Sequence, residues 1–356
     1  MRILAINPGS TSTKIGVFED RKILYHKTIT HSAEEIASYP SILSQLDFRT
    51  QLVLDELSQQ GYELNFDAVI GRGGLLKPIP GGVYHVTDKM IDDIYHTEHT
   101  HACNLGCIIA REIASRIPGG CDNCFIADPV VVDELNDYAR VCGSPLMQRM
   151  SIWHPLNQRA IARRFARENG KRYEDLNLVV AHLGGGVSVA AHEHGKAVDV
   201  NNALDGEGPF APERAGTLPA SSLVKLCFSG KYDENQVMKM LKGNAGLAAL
   251  LGTNDMREVE RRLCEDHDEK AKLFVDAMIY HIAKAICAQG AVLCGKVDAI
   301  VLTGGIAYWK YFVDELIKRV SWMAPVHIYP GEDELEALAG NAYAALSGQI
   351  EVKEYV

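Results

Sequence analysis

Apolar and polar positions fall into one pattern twice, once at the head of each half of the chain. Arg2 to Pro8 is a short apolar run that reads as a buried strand. Gly9-Ser10-Thr11-Ser12-Thr13-Lys14 is a tight polar turn, Ile15 to Phe18 a returning strand, Asp20-Arg21 a turn, and Ile23 to Ile29 a third strand. Leu178 to Ala181 is again a short apolar strand, and His182, Gly184, Gly185 and Gly186 follow it. The chain resumes as strand over Val187 to Ala191, turns at Glu193-His194-Gly195 and runs on as strand to Val200. Strand, polar glycine turn, strand, turn, strand is thus a repeated unit.

Helical signals lie between and after these hairpins. Ser32 to Glu35 has the spacing of a capping box, Pro40 interrupts, and Ile42 to Leu57 carries apolar residues at helical spacing that end at Gly61. Asp67 to Ile70 is a strand running into Gly71-Arg72-Gly73-Gly74. Asn104 to Ile117 reads as a helix, and Phe125 to Ala127 as a strand that delivers Asp128, with Pro129 and a buried run Val130 to Val132 behind it. A helix is expected over Leu156 to Asn169. Phe274 to Leu293 is the most apolar long stretch, but Asp276, His281, Lys284 and Gln289 mark it as a buried helix and not a membrane span. Asp298 to Leu302 is a buried strand with a helix beginning at Gly304-Gly305-Ile306, and Gly331 to Glu336 precedes a helix to Leu346.

At 356 residues, 47% of them hydrophobic, the chain is expected to hold two domains with a sizeable core each. A net charge of -10 argues against general affinity for nucleic acid or anionic membrane, so anionic substrates must be held by local arginines and backbone amides. The N-terminus enters a strand at once and is broken by Asn7-Pro8, too soon for a signal peptide; cytoplasmic location is expected. With nine cysteines, an odd count, reduced thiols are expected and no disulfide framework. His99, His101, Cys103, Cys107, Cys121 and Cys124 have spacings that suit tetrahedral zinc. The helical reading places Cys103 and Cys107 one turn apart on an inward face instead, where cysteine is a common small buried residue. The basic run from Arg159 to Arg172 reads as the wet edge of a helix whose apolar stripe is Ala160, Ile161, Phe165 and Ala166, and not as a nucleic-acid site.

The glycines carry the first chemical signal, because without a Cβ a backbone comes close to a ligand and aims successive N–H groups at an anion. A dinucleotide fold or a P-loop needs a helix after its glycines, and the P-loop a Lys-Ser/Thr pair; here a strand follows Gly186, which leaves a phosphate-facing hairpin. Arg72, at a strand end between glycines, is placed to meet a carboxylate or phosphate bidentately. No Ser-His-Asp triad is evident.

INPGSTSTK (6–14), VIGRGG (69–74), IADPVV (126–131), HLGGGVS (182–188), GTND (252–255) and LTGGIA (302–307) occur in one order over nearly the whole chain. The set resembles the acetate kinase family of acyl-phosphate-forming kinases, within the sugar kinase, Hsp70 and actin superfamily. In its details it is similar to the branch acting on butyrate and branched-chain acids. The resemblance implies an α/β fold of two ribonuclease H-like, actin-like domains with a cleft between them. The first would span 1–154, completed by a C-terminal helix from about 335 to 356, and the second 155–334.

The implied activity is reversible in-line transfer of the ATP γ-phosphoryl group to the carboxylate of butyrate or a short branched-chain fatty acid. The alternatives are an acetate or propionate kinase, or a non-catalytic nucleotide-gated protein. In the family's pattern Arg72 holds the acyl carboxylate and the migrating phosphoryl group, Arg214 is the second catalytic arginine, and His154 and His182 lie near the transferred group. Asp128 positions magnesium, and Glu334, or Asp333 beside it, is the magnesium-linked carboxylate. Asn7, Ser10, Thr11, Ser12, Lys14, Gly184, Gly185 and Gly186 would face the phosphates. Asp255, Met256 and Arg257 would border the adenosine, with Met256 where the family has an aromatic residue, and Gly304, Gly305 and Ile306 would pass beneath it. Gly74 stands where acetate-specific relatives carry a valine, so Gly73 and Gly74 should leave room for extra carbons, against which Trp153 pulls. ATP and Mg2+ are the implied cofactors, a short-chain fatty acid the substrate, and a homodimer or higher homo-oligomer the assembly.

Overall fold

A computed structural model describes residues 1–97, 101–118 and 122–356. The strands in chain order are β1 (Arg2–Pro8), β2 (Ser12–Glu19), β3 (Lys22–Thr30), β4 (Ala68–Arg72), β5 (Val83–His85), β6 (Cys124–Ala127), β7 (Asn177–Leu183), β8 (Val187–Glu193), β9 (Lys196–Val200), β10 (Ala299–Gly304), β11 (Val326–Pro330) and β12 (Val352–Lys353). The chain divides into one unit of Met1–Val132 with Asp333–Val356 and another of Asp133–Glu332.

The first unit is built on a seven-stranded sheet in the order β12-β5-β6-β4-β1-β2-β3. β1 pairs antiparallel with β2 and β2 with β3, whereas β1, β4 and β6 run parallel. Helix Leu105–Ala114 packs on β4 through a pair of glycines. A Cβ on Gly71 would lie 2.1 Å from the Gly106 carbonyl oxygen, and one on Gly106 equally close to the Arg72 carbonyl. Helix Glu334–Leu346 returns from the end of the chain to lie against β1, β4 and β6, and β12 extends the sheet beside β5.

The second unit repeats the plan with five strands, β11-β10-β7-β8-β9. β7, β8 and β9 form the antiparallel meander, and β7, β10 and β11 run parallel. Both meanders carry a register shift in the second hairpin, at Val17/Phe18 and at Ala191/His192. β7 is buried on both faces, as strands of a helix-covered parallel sheet are. Val179, Ala181 and Leu183 meet helices Glu269–Val292 and Lys310–Val320, while Leu178 and Val180 meet helix Pro155–Glu168.

The duplicated hairpins therefore stand where their sequence places them. The unit boundary differs: the sequence pattern sets it at 154/155, and the contacts set it at 132/133. Residues 133–154 belong to the second unit because its sheet edge and first helix hold them. The Asn136 N–H donates to the Val198 carbonyl, Glu134 pairs with Arg159 at 2.8 Å, and Arg149 pairs with Asp199 at 3.0 Å. The same contact corrects the wet edge of helix Pro155–Glu168, since Arg159 is buried against Glu134. Beyond β10, Gly305–Tyr308 forms a 3-10 turn, and the α-helix starts only at Lys310.

Of the candidate zinc ligands, His99 and Cys121 lie outside the described residues. Cys103 and Cys107 are buried, and burial pushes their thiols up to about 11 and about 12, which keeps them protonated. No group of three or more metal-ligating side chains occurs among the described residues. Among these residues no helix is long and apolar enough to cross a membrane.

Candidate active site

In each unit the parallel strands bring the candidate residues to one edge of the sheet. The polar turn follows the carboxyl end of β1, Arg72 is the last residue of β4, and Asp128 follows β6. In the second unit the glycine turn follows β7, Gly304 closes β10, and Glu332 follows β11. The carboxyl edge of parallel strands is where open α/β sheets bind ligands, since loops there can vary without disturbing the ladder.

The candidate residues of the first unit centre on Glu334. Its Oε1 lies 3.0 Å from Arg72 Nη1, and its Oε2 accepts from Arg72 Nη1 at 3.1 Å and from Asn7 Nδ2 at 2.5 Å. Arg72 Nη1 also reaches Asn7 Oδ1 at 3.4 Å. Asn7 pairs across β1 and β2 with Lys14. Asp128 is 2% exposed, adopts φ +39°, and accepts the Gly82 N–H through Oδ1 at 2.8 Å. Such a positive φ costs backbone energy in a residue other than glycine, and the fold holds Asp128 there by a reciprocal bond from its own N–H to the Gly82 carbonyl. For a magnesium ion, which takes one or two carboxylates and completes its shell with phosphate and water, Asp128 is a suitable donor. Glu334 fits less well as a direct ligand, because both its oxygens are engaged by Arg72 or Asn7.

Gly73 and Gly74 do not open a space. A Cβ on Gly73 would meet Pro129 at 2.6 Å, and one on Gly74 would meet the Asn104 Cα at 2.6 Å and Ile94 at 2.9 Å. The volume that a valine at 74 would take is therefore already filled by the start of the neighbouring helix. Trp153 lies in the second unit, 2% exposed, with its ring edge against His192. The room expected from Gly74 is thus absent at that position, and Gly74→Val would strain the fold instead of trimming a pocket.

The candidate residues of the second unit include a stack of two histidines behind the glycine turn. His154 and His182 lie face to face, 3.9 Å apart at 11°. His182 Nδ1 donates to Asn157 Oδ1 at 2.9 Å, and its Nε2 lies 3.2 Å from Glu332 Oε1. His154 Nδ1 lies 2.8 Å from the Ser188 hydroxyl. Gln158 Nε2 donates to the Ser188 carbonyl at 3.0 Å and to Ser188 Oγ at 2.8 Å, so Ser188 links the ring of His154 to the side chain of Gln158. Asn157, Gln158 and Ser188 were not singled out in the sequence. Their signal was available, since Asn157 and Gln158 sit one helical turn after His154 and Ser188 ends the HLGGGVS stretch.

The same chain of bonds ends at His192. Tyr173 Oη donates to His192 Nδ1 at 2.6 Å, and His192 Nε2 donates to Gln158 Oε1 at 3.0 Å. Burial, reinforced by Arg159 and Arg163, pushes His192 down to about 3 from its usual 6.5. A ring neutral in the fold and basic in the unfolded chain contributes stability that is complete above pH 6.5 and is lost as pH falls toward 3. Urea unfolding should therefore show stability dropping from pH 7 to pH 5, with this group adding a slope of up to about 1.4 kcal/mol per pH unit. His192→Phe should be less stable throughout yet flatten the slope; an unchanged slope would show that His192 does not titrate on unfolding.

The glycine turn joins a second loop. The Glu213 N–H donates to the Gly185 carbonyl at 3.1 Å, and Glu213 Oε1 accepts from Asn254 Nδ2 at 2.6 Å. Arg214 bonds the carbonyl and carboxylate of Glu213 through Nη1, while its Nε is buried with no hydrogen-bond partner among the described residues. An unsatisfied guanidinium N–H is costly and calls for an acceptor. Gly185 is exposed, and Gly184 is packed on His182, where a Cβ would lie 2.9 Å from the ring Nε2. Gly304 has φ +93°, and a Cβ there would lie 2.3 Å from the Leu183 carbonyl, whereas Gly305 faces open space and Ile306 is buried. Asp255 caps helix Met256–Cys264 and is held near 2 by Arg257, which is itself exposed. Met256 is half-buried, packed against the core of the second unit.

Residues 149–337 match the Acetokinase family. The chain is 57% identical over 357 residues, covering 100% of both chains, to a protein of Bacteroides thetaiotaomicron named probable butyrate kinase. It is 51% identical over 356 residues, 99% of both chains, to butyrate kinase 2 of Clostridium acetobutylicum. Among solved structures it resembles the acetate kinase of Porphyromonas gingivalis with a TM-score of 0.79 at 19% identity, covering 97% of this chain and 99% of that one. At that identity the likeness speaks for the fold, which is the sugar kinase, Hsp70 and actin type expected from the sequence.

Proposed function

The chain belongs to the acetokinase family of carboxyl-group phosphotransferases that use ATP, and from this we propose that it phosphorylates butyrate, or a short branched-chain acid, reversibly to the acyl phosphate. The full-length identity to proteins named butyrate kinase carries this reading. A carboxylate is already a nucleophile, so the site has charge to offset and no proton to remove.

We assign Arg72 to the acyl carboxylate and the moving phosphoryl group, with Glu334 and Asn7 fixing the plane of its fork. Arg214 brings the second guanidinium, whose unpaired Nε suits a phosphoryl oxygen. His154 brings its imidazole, and the 9–14 and 184–186 turns offer amides to the phosphates. Magnesium, when bound, neutralises phosphate charge; Asp128 is the residue we assign to it, and Glu334 goes to Arg72. Cytoplasmic location and self-association belong to the same proposal.

An ATP-coupled assay across two- to six-carbon acids tests the substrate. Each buried CH₂ adds about 0.8 kcal/mol, nearly fourfold in binding, so butyrate should exceed acetate by roughly tenfold in kcat/KM. Preference for acetate would remove the butyrate assignment and leave the phosphotransferase class standing.

A further inference from the structure

Arg49 has no part in the site as assigned, yet it is 1% exposed and sits directly behind the first polar turn. It projects from helix Leu46–Gln59, and Gln45 Oε1 accepts from its Nε at 3.0 Å and its Nη2 at 2.9 Å. The rest of the fork goes into the turn. Nη1 donates to the Gly9 carbonyl at 2.7 Å, to the Ser12 carbonyl at 3.3 Å and to Thr13 Oγ1 at 3.3 Å, and Nη2 donates to the Ser10 carbonyl at 3.2 Å. The Thr11 carbonyl accepts the His31 N–H at 2.9 Å, and the Ser12 carbonyl also accepts the Gly9 N–H at 2.7 Å. Every carbonyl from Gly9 to Ser12 is thus drawn to a partner inside the unit.

The complementary groups are left over. Ser10 and Thr11 are exposed, and their N–H groups donate to no protein acceptor among the described residues. Consecutive amides turned one way, with their carbonyls turned the other, make an anion cradle. Behind it lies a cation that pairs with no carboxylate among the described residues; every one of its partners is a neutral oxygen. A buried charge without a counter-ion is retained at a cost, which an anion bound at the turn would reduce. Lysine could not replace it on geometric grounds, because three carbonyls are held by one planar fork.

We infer that Arg49 is a positioning residue for ATP: it pulls the carbonyls of Gly9, Ser10 and Ser12 inward, faces the Ser10 and Thr11 amides outward, and supplies the positive charge behind the phosphates. The inference rests on the reading that the 9–14 turn binds ATP phosphate. MgATP affinity is measured by calorimetry on full-length wild type, Arg49→Met, Arg49→Lys and Lys14→Ala, with the butyrate KM at saturating ATP and a melting curve for each. Arg49→Met should weaken ATP about tenfold or more, as loss of charged hydrogen bonds does, and Arg49→Lys about threefold to tenfold. The butyrate KM should stay within about twofold in both. Should Arg49→Met fail to fold, Arg49→Lys decides. Wild-type ATP affinity in a folded Arg49 variant, with Lys14→Ala impaired, overturns the inference alone. Unchanged affinity in Lys14→Ala withdraws the turn as a phosphate site and the inference with it.

Discussion

Arg72→Ala is expected to lower kcat by about 10²-fold or more, the usual cost of removing a donor aimed at charge that develops in the transition state. The structure adds a second consequence. Arg72 and Glu334 are a largely buried pair, with side chains 19% and 6% exposed. Removing one partner of such a pair costs about 3–5 kcal/mol, because the other charge is stranded. Arg72→Ala should therefore unfold at lower urea as well as turn over slowly, and kcat must be read on protein shown to be folded. Arg72→Ala with Glu334→Gln separates the two effects, since the neutral amide removes the stranded charge. Stability should recover in the double variant while kcat stays low. Arg72→Lys keeps the charge but loses the fork, and it should fall between. Near-normal turnover in folded Arg72→Ala would sink the assigned mechanism.

Gly71→Ala is expected to be the most damaging single methyl group in the first unit. The added Cβ would stand 2.1 Å from the Gly106 carbonyl oxygen, and backbone on both sides cannot swing away as a side chain can. Overpacking commonly costs about 1–3 kcal/mol, and a clash between two backbones belongs at or above the upper end. Helix Leu105–Ala114 must move off β4 to admit the methyl group, which would displace Arg72 at the end of that strand. Loss of activity should accompany loss of stability here. Gly305→Ala is the control, because its Cβ meets nothing within 4 Å. Its melting curve should match wild type, and any loss of ATP affinity would then report a ligand contact. If Gly71→Ala were as stable as wild type, the close approach of β4 and the helix would be wrong.

The two hairpins, the strand carrying Arg72 and the last helix were legible in the sequence because their causes are local. A strand buried on both faces is a continuous apolar run, and turns announce themselves in glycine and small polar residues. The family, the fold and the class of reaction followed from the order of those motifs along the chain. Tertiary structure decided what touches what. Asn7 and Glu334 are 327 positions apart and share a hydrogen bond, so no spacing rule could assign Glu334 to Arg72. Arg49 is one polar position within the helical run Ile42 to Leu57, and only packing shows it buried behind the 9–12 turn. Gly74 was read as missing volume, yet a glycine also stands where another backbone has taken the space, and here Asn104 has taken it. Residues 133–154 joined the second unit through Glu134 and Arg149, whose partners lie 25 and 50 positions further along the chain. Local pattern sets the elements; desolvation and close packing between distant segments set which of their side chains meet, and in this protein those meetings bring Asn7, Arg72 and Glu334 together.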